Sequence, residues 1–262
     1  MNESATAIAT EPRTSEWKPF SCTLNNSLNK YSIGLIALAN DLSSEPEVSK
    51  FLSGTGAEMY VSRVPMSPQC NVETLRDMEG HISTATSLLL PDDDLDVIAY
   101  GCTSGTMAIG ADKIAARIRE SRAGIAVTDP ISSSLKGLKQ LGCNRIALLT
   151  PYVDDVNQIV EDYVSGQGFD IAVKGSFGQA GDPQICRVSP DDVYKAGVEL
   201  GSSDVEALFI SCTGLRVAAI VQKLEDQIGK PVVTSNQALS WDALRLAGHD
   251  QPVNGFGKLL TI

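Results

Sequence analysis

Gly101-Cys102-Thr103-Ser104-Gly105-Thr106 follows the apolar run at 95–100 and precedes a helical pattern that sets in at Ile114. The cysteine therefore stands where a buried strand turns into a helix. Small and hydroxylated residues surround it, so the neighbouring backbone N–H groups are free to face a ligand. Such a strand-to-helix turn suits a carboxylate, because a helix start carries orphan N–H donors and about half a positive charge. It also favours a thiolate. A second stretch, Ser211-Cys212-Thr213-Gly214-Leu215-Arg216, repeats this setting: an apolar run at 207–210 precedes it, and Val217, Ile220, Val221 and Leu224 follow at helical spacing.

The recurrence decides the fold. Counted backwards from each cysteine, the chain reads strand, loop, helix, strand, helix, strand, Cys-Thr turn, and then helix and strand again. Asn40, in the loop after the first strand (31–38), lies 62 residues before Cys102; Tyr152, after the corresponding strand (145–149), lies 60 before Cys212. This is an internal duplication of an α/β unit. Alternating strands and helices predict parallel sheets with right-handed crossovers. The expected architecture is two pseudo-symmetric α/β subdomains, each with a parallel sheet of about four strands flanked by helices. Residues 31–134, joined by 237–262, form the first and 135–236 the second; 1–30 form a mobile arm, with Trp17 and Phe20 docking on the body. Ligands of parallel sheets bind beyond the carboxyl ends of the strands. Asn40, Cys102, Tyr152 and Cys212 all stand there, so the active site is expected in the cleft between the halves. In detail, the spacing of Val72, Leu75, Met78, Ile82, Ala85 and Leu89 predicts one amphipathic helix. A second helix is expected from Cys102 to about Arg122, a turn-rich loop over 178–190 and a last helix over 241–247.

Bulk properties narrow the function. The chain has 262 residues, 43% of them apolar, enough for a proper core, and a net charge of −11. It carries no basic cluster, so neither nucleic acid nor an anionic membrane is an expected partner. No apolar run approaches the ~18 residues of a membrane span. The polar, Ser/Thr-rich start lacks the pattern of a secretory leader, so a cytoplasmic protein is expected. Six cysteines without Cys-x-x-Cys spacing, and only two histidines, suggest neither a disulfide framework nor a metal site. Neither a dinucleotide fingerprint nor a phosphate loop is present, and no cofactor is expected.

Two thiols facing one small acid allow two reactions. One cysteine can remove a proton while the other returns it on the opposite face, which is racemisation. Alternatively, one can add to an activated double bond, which then rotates before the adduct collapses; that is cis–trans isomerisation. Both build charge on a carboxylate beside the reacting carbon and need donors there. Thr103, Ser104, Thr106, Thr213 and the backbone near Gly105 and Gly214 are candidate donors. Asn40 and Tyr152 are candidates from the strand ends.

Tyr-Gly-Cys-Thr-Ser-Gly-Thr (100–106), Leu-Leu-Thr-Pro-Tyr (148–152) and Ser-Cys-Thr-Gly-Leu-Arg (211–216) resemble the aspartate/glutamate racemase superfamily. The nearest branch holds maleate cis–trans isomerase, arylmalonate decarboxylase and the ectoine-utilisation protein EutA. The stretches 71–78, 90–110 and 235–239, with Trp241, are similar to EutA-type sequences. The resemblance covers about residues 31–250. It implies a two-domain, cofactor-free, homo-oligomeric enzyme acting on a small carboxylic or amino acid. Cys102 would be nucleophile or base, Cys212 its acid/base partner, and Asn40, Thr103, Ser104, Tyr152, Thr213 and Gly214 would hold substrate carboxylates. Arylmalonate decarboxylases carry glycine where Cys102 stands, which argues against simple decarboxylation. A decarboxylase using Cys212, or a non-catalytic binder of small acids, are the alternatives. Maleate isomerases carry asparagine at about the place of Asp182. An ionised aspartate there would repel a dicarboxylate by roughly 1–4 kcal/mol, depending on the effective dielectric. It would attract a substrate ammonium, unless it points to solvent.

Overall fold

The computed structural model describes residues 17–24 and 29–262. Eight parallel strands form two sheets, each wound in the same order. The first sheet runs β2-β1-β3-β4, from β1 (Tyr31–Leu38), β2 (Ala57–Val64), β3 (Val97–Tyr100) and β4 (Ala126–Thr128). The second runs β6-β5-β7-β8, from β5 (Arg145–Tyr152), β6 (Asp170–Gln179), β7 (Ala207–Ile210) and β8 (Val232–Thr234). The central strands β3 and β7 are wholly buried, Val-Ile-Ala-Tyr and Ala-Leu-Phe-Ile. Continuous apolar runs of this kind mark strands covered on both faces. In register, Ile33 faces Val97 and Ile146 faces Ala207, so the two units match strand for strand.

The helices are α1 (Ser44–Leu52), α2 (Val72–Asp77), α3 (Ile82–Ser87), α4 (Thr103–Ile109), α5 (Ala111–Ser121), α6 (Pro130–Gln140), α7 (Asp154–Gly166), α8 (Asp182–Ile185), α9 (Pro190–Gly201), α10 (Val221–Ile228) and α11 (Ser235–Leu246). Several depart from the expected pattern. The helix predicted over 72–89 breaks into α2, a 3-10 turn at Met78–His81, and α3. The helix expected from Cys102 to Arg122 breaks at Gly110, whose φ of +102° needs a residue without a Cβ. The turn-rich loop over 178–190 contains the short helix α8. The last helix begins six residues before Trp241, at Ser235, where Thr234 and Gln237 close a capping box. Trp17 and Phe20 are 99% and 80% exposed rather than docked. Of the expected arm, 1–16 and 25–28 lie outside the described residues.

Helix α11 ties the two units together. It follows the last strand of the second sheet but packs on α6, α1 and the strands β3 and β4 of the first. Its Leu239 joins Leu35, Ala37 and Ala99 on one face of the first sheet. The C-terminal turn closes over it: the Trp241 indole N–H donates to the Ile262 carbonyl at 2.9 Å, and Phe256 packs edge-on against Phe51 of α1 at 5.1 Å.

Candidate active site

Both cysteines sit just beyond the carboxyl ends of the central strands. Cys102 is the N-cap of α4, and its sulfur accepts the Gly105 N–H at 3.2 Å. The Thr106 hydroxyl donates to its carbonyl at 2.7 Å, which locks the turn. Gly105 has no room for a side chain: a Cβ there would lie 2.7 Å from Met78 Cε and 2.9 Å from the Cys102 sulfur. Cys212 receives the Gly214 N–H at 3.2 Å and the Tyr152 hydroxyl. No helix follows it directly; turns occupy the chain until α10 starts at Val221. The duplication thus yields unequal thiols, one at a helix start and one beside a phenol.

The two thiols meet. Cys102 and Cys212 line one small cavity, of about 10 Å³, together with Thr103, Ser104, Tyr152, Asp182, Thr213 and Gly214. Leu38, Asp41 and Cys186 complete the wall. Of the residues singled out in the sequence, Asn40, Gly105 and Thr106 are absent from this lining. Asn40 is half-buried beside the cavity, where its Nδ2 donates to the Ser67 carbonyl at 3.5 Å. Asp182 faces the cavity, not bulk solvent.

Hydrogen bonds stitch the two Cys-Thr motifs across the cleft. The Thr213 hydroxyl donates to the Gly101 carbonyl at 3.1 Å. The Thr103 hydroxyl and the Cys212 N–H both donate to Ser235 Oγ, each at 3.0 Å. Asn236 Nδ2 donates to the Thr213 carbonyl at 2.7 Å. Both threonine hydroxyls therefore fix the relative position of the two turns. Ser235 and Asn236 have this structural role, and Asp41 lines the cavity, without having been candidate site residues in the sequence. Ser235 and Asn236 directly follow the last strand, a place that the duplication marks as a strand end, and Asp41 adjoins Asn40.

Burial dominates the electrostatics. It pushes both thiols well above the ordinary cysteine range, and the Asp182 carboxylate adds to this for both. The Gly105 N–H and the Ser104 hydroxyl oppose the shift at Cys102; the Tyr152 hydroxyl and the Gly214 N–H oppose it at Cys212. Burial also raises Asp182, to about 6, helped by the nearby Asp41. Cys70, bonded to the Ser104 hydroxyl, is pushed up by burial and by Asp182 to about 11. Among the described residues, no group of three or more His, Cys, Asp or Glu side chains is arranged to hold a metal.

Residues 89–260 match the family profile of arylmalonate decarboxylase. The chain belongs to the arylmalonate decarboxylase family. Within the aspartate/glutamate racemase superfamily it falls in the branch of maleate isomerases and arylmalonate decarboxylases. It is 24% identical over 249 residues to the maleate isomerase of Alcaligenes faecalis, covering 89% of this chain and 98% of that one. To the arylmalonate decarboxylase of Bordetella bronchiseptica it is 32% identical over 139 residues, covering 52% of this chain and 58% of that one. The fold superposes on the maleate isomerase Iso of Pseudomonas putida S16 with a TM-score of 0.82 at 21% identity, over 88% of this chain and 98% of that one. It also superposes, with a TM-score of 0.80 at 24% identity over the same shares, on a cysteine-to-serine mutant of the Nocardia farcinica maleate cis–trans isomerase that carries a covalently bound succinylcysteine intermediate. The chain is an enzyme of the isomerase class.

Proposed function

We propose that this protein is a two-cysteine isomerase or racemase of a small carboxylic acid, working between Cys102 and Cys212. The observation that carries this reading is the shared cavity: two thiols 110 residues apart in the chain line one small space, each with a backbone N–H on its sulfur. In the isomerase form, the Cys102 thiolate adds to a carbon of a double bond conjugated to a carboxylate. The C–S bond forms, and the π pair moves onto the neighbouring carbon and its carboxylate. The remaining single bond rotates, and the pair returns to expel the thiolate. In the racemase form, one thiolate takes the α-proton and the opposite thiol delivers another to the far face of the carbanion. Tyr152 keeps the second sulfur oriented in either case. No organic cofactor enters these steps.

The maleate isomerases among the relatives make maleate the reference substrate, and the EutA-like stretches suggest ectoine catabolism as the setting. A cytoplasmic, homo-oligomeric enzyme fits six free cysteines, which persist in reducing compartments, and the resemblance to its superfamily. A second reading, decarboxylation of a malonate-like acid with Cys212 protonating the enediolate, is favoured by the match to arylmalonate decarboxylase; it leaves Cys102 without a task. Incubating candidate acids in deuterated buffer separates the readings. Geometric inversion or α-exchange without loss of mass supports the isomerase, and release of CO₂ supports the lyase. Replacing both cysteines (Cys102→Ala with Cys212→Ala) should abolish turnover; retained turnover would overturn the two-thiol mechanism.

A further inference from the structure

The wall of the cavity opposite the hydroxyl-rich turns has an unexplained surplus of acceptors. Asp41, 7% exposed, lines it from the loop after β1, and Asp182 lines it from α8 in the other unit. Asp41 Oδ1 is satisfied by the N–H groups of Ser43 and Ser44, at 2.7 and 3.0 Å, but its Oδ2 is buried without a partner. Asp182 Oδ2 is buried and unpartnered too, as is Oδ1 of the adjacent Asn40. Buried carboxylate oxygens are normally paired with a donor or a cation, so two of them facing one empty space call for a ligand that donates. No described side chain supplies the cation. Arg63 donates to the backbone carbonyls of Leu38 and Asp41 and pairs with Glu45; Arg187 donates to the Pro183 carbonyl, and Arg216 to that of Val188.

We propose that the substrate is an amino acid whose ammonium group bridges Asp41 Oδ2 and Asp182 Oδ2, so that this cavity selects amino-substituted small acids over plain dicarboxylates. The inference rests on the reading of the cavity as the substrate site. An ammonium is compact, positively charged and has three donors, enough for both carboxylate oxygens. A second carboxylate placed there would face two like charges and gain no hydrogen bond. The upward shift of the Asp182 carboxyl by burial and by Asp41 is what a site awaiting a cation shows: binding an ammonium restores the ionised form.

Binding by calorimetry of matched series tests this: alanine, lactate and propionate; aspartate, malate and succinate, with maleate; glutamate, 2-hydroxyglutarate and glutarate, with both enantiomers of each chiral acid. In at least one series the amino acid should bind tenfold or more tightly than its hydroxy and unsubstituted analogues, about 1.4 kcal/mol. Asp182→Asn should remove that advantage. Equal or tighter binding of the hydroxy or unsubstituted acids, binding of no amino acid, or an unchanged preference in Asp182→Asn would overturn the proposal. If the variant does not fold, the ratios in the unmodified protein decide alone. Because equilibrium binding is read, loss of the two-thiol mechanism leaves this test intact. Conversely, isomerisation of maleate without amino-acid binding would sink only this proposal.

Discussion

Cys102 and Cys212 are each followed by a threonine but have different hydrogen-bond partners, Gly105 and Ser104 for the first, Tyr152 and Gly214 for the second. Burial raises both thiols, and the single carboxylate of Asp182 raises them further. In the empty protein the reactive thiolates should therefore appear only in the alkaline range. The rate of alkylation by iodoacetamide, followed residue by residue by mass spectrometry, should climb with pH beyond the range of a free cysteine. Asp182→Asn removes a negative charge that stabilises the protonated thiols, so it should move the climb to lower pH. An unmoved profile would show that the carboxylate does not act on the sulfurs. Gly105 is a second residue-scale constraint. Gly105→Ala drives a methyl into Met78 and the Cys102 sulfur, and overpacking of this kind costs about 1–3 kcal/mol. Chemical denaturation should show that loss, together with a fall in activity beyond what the unfolded fraction explains.

At the scale of elements, α1 does more than cover its own sheet. Glu47, 2% exposed, reaches out of the first unit, and one of its oxygens accepts the N–H groups of Val217 and Ala218 at 2.6 Å each. These donors sit in the turns between Cys212 and α10, where the second unit lacks the helix that α4 provides in the first. A carboxylate from the opposite half thus secures the backbone a few residues after the second thiol, with Lys50 neutralising its other oxygen at 2.9 Å. Glu47→Ala leaves two buried N–H groups unpaired and should destabilise the protein by about 2–3 kcal/mol. Glu47→Gln keeps an acceptor and should recover part of that stability. Denaturant midpoints of the two variants against the parent give the comparison, and equal midpoints would refute the role.

At the scale of the whole molecule, α11 makes the site one object. Ser235, its first residue, holds the Thr103 hydroxyl of one motif and the Cys212 N–H of the other through a single oxygen. Ser235→Ala leaves a buried hydroxyl and a buried N–H without their acceptor and should cost about 1–3 kcal/mol in stability. Because it loosens the relative placement of two groups that must act on one molecule, the expected fall in kcat is about tenfold or more. A variant with parental kcat would show that packing alone aligns the units.

The duplicated Cys-Thr turns, the succession of strands and helices and the residues at the strand ends were legible in the sequence because hydrophobic period and spacing are local properties that repeat. The same local signals determined that both cysteines stand just beyond strands and that the chain contains two copies of one unit; only the sheet topology made those strands central. The resemblance to maleate isomerases made Asp182 conspicuous, but not its direction: only the tertiary structure brought that carboxylate to a cavity shared with Asp41. Long-range contacts likewise decided the role of Ser235 and the reach of Glu47, which bonds to residues 170 and 171 positions away. A chain records each residue's own preferences along its length. Which buried donor meets which acceptor is settled only when two sheets, folded from separate stretches, close on each other and exclude the water that would otherwise satisfy them.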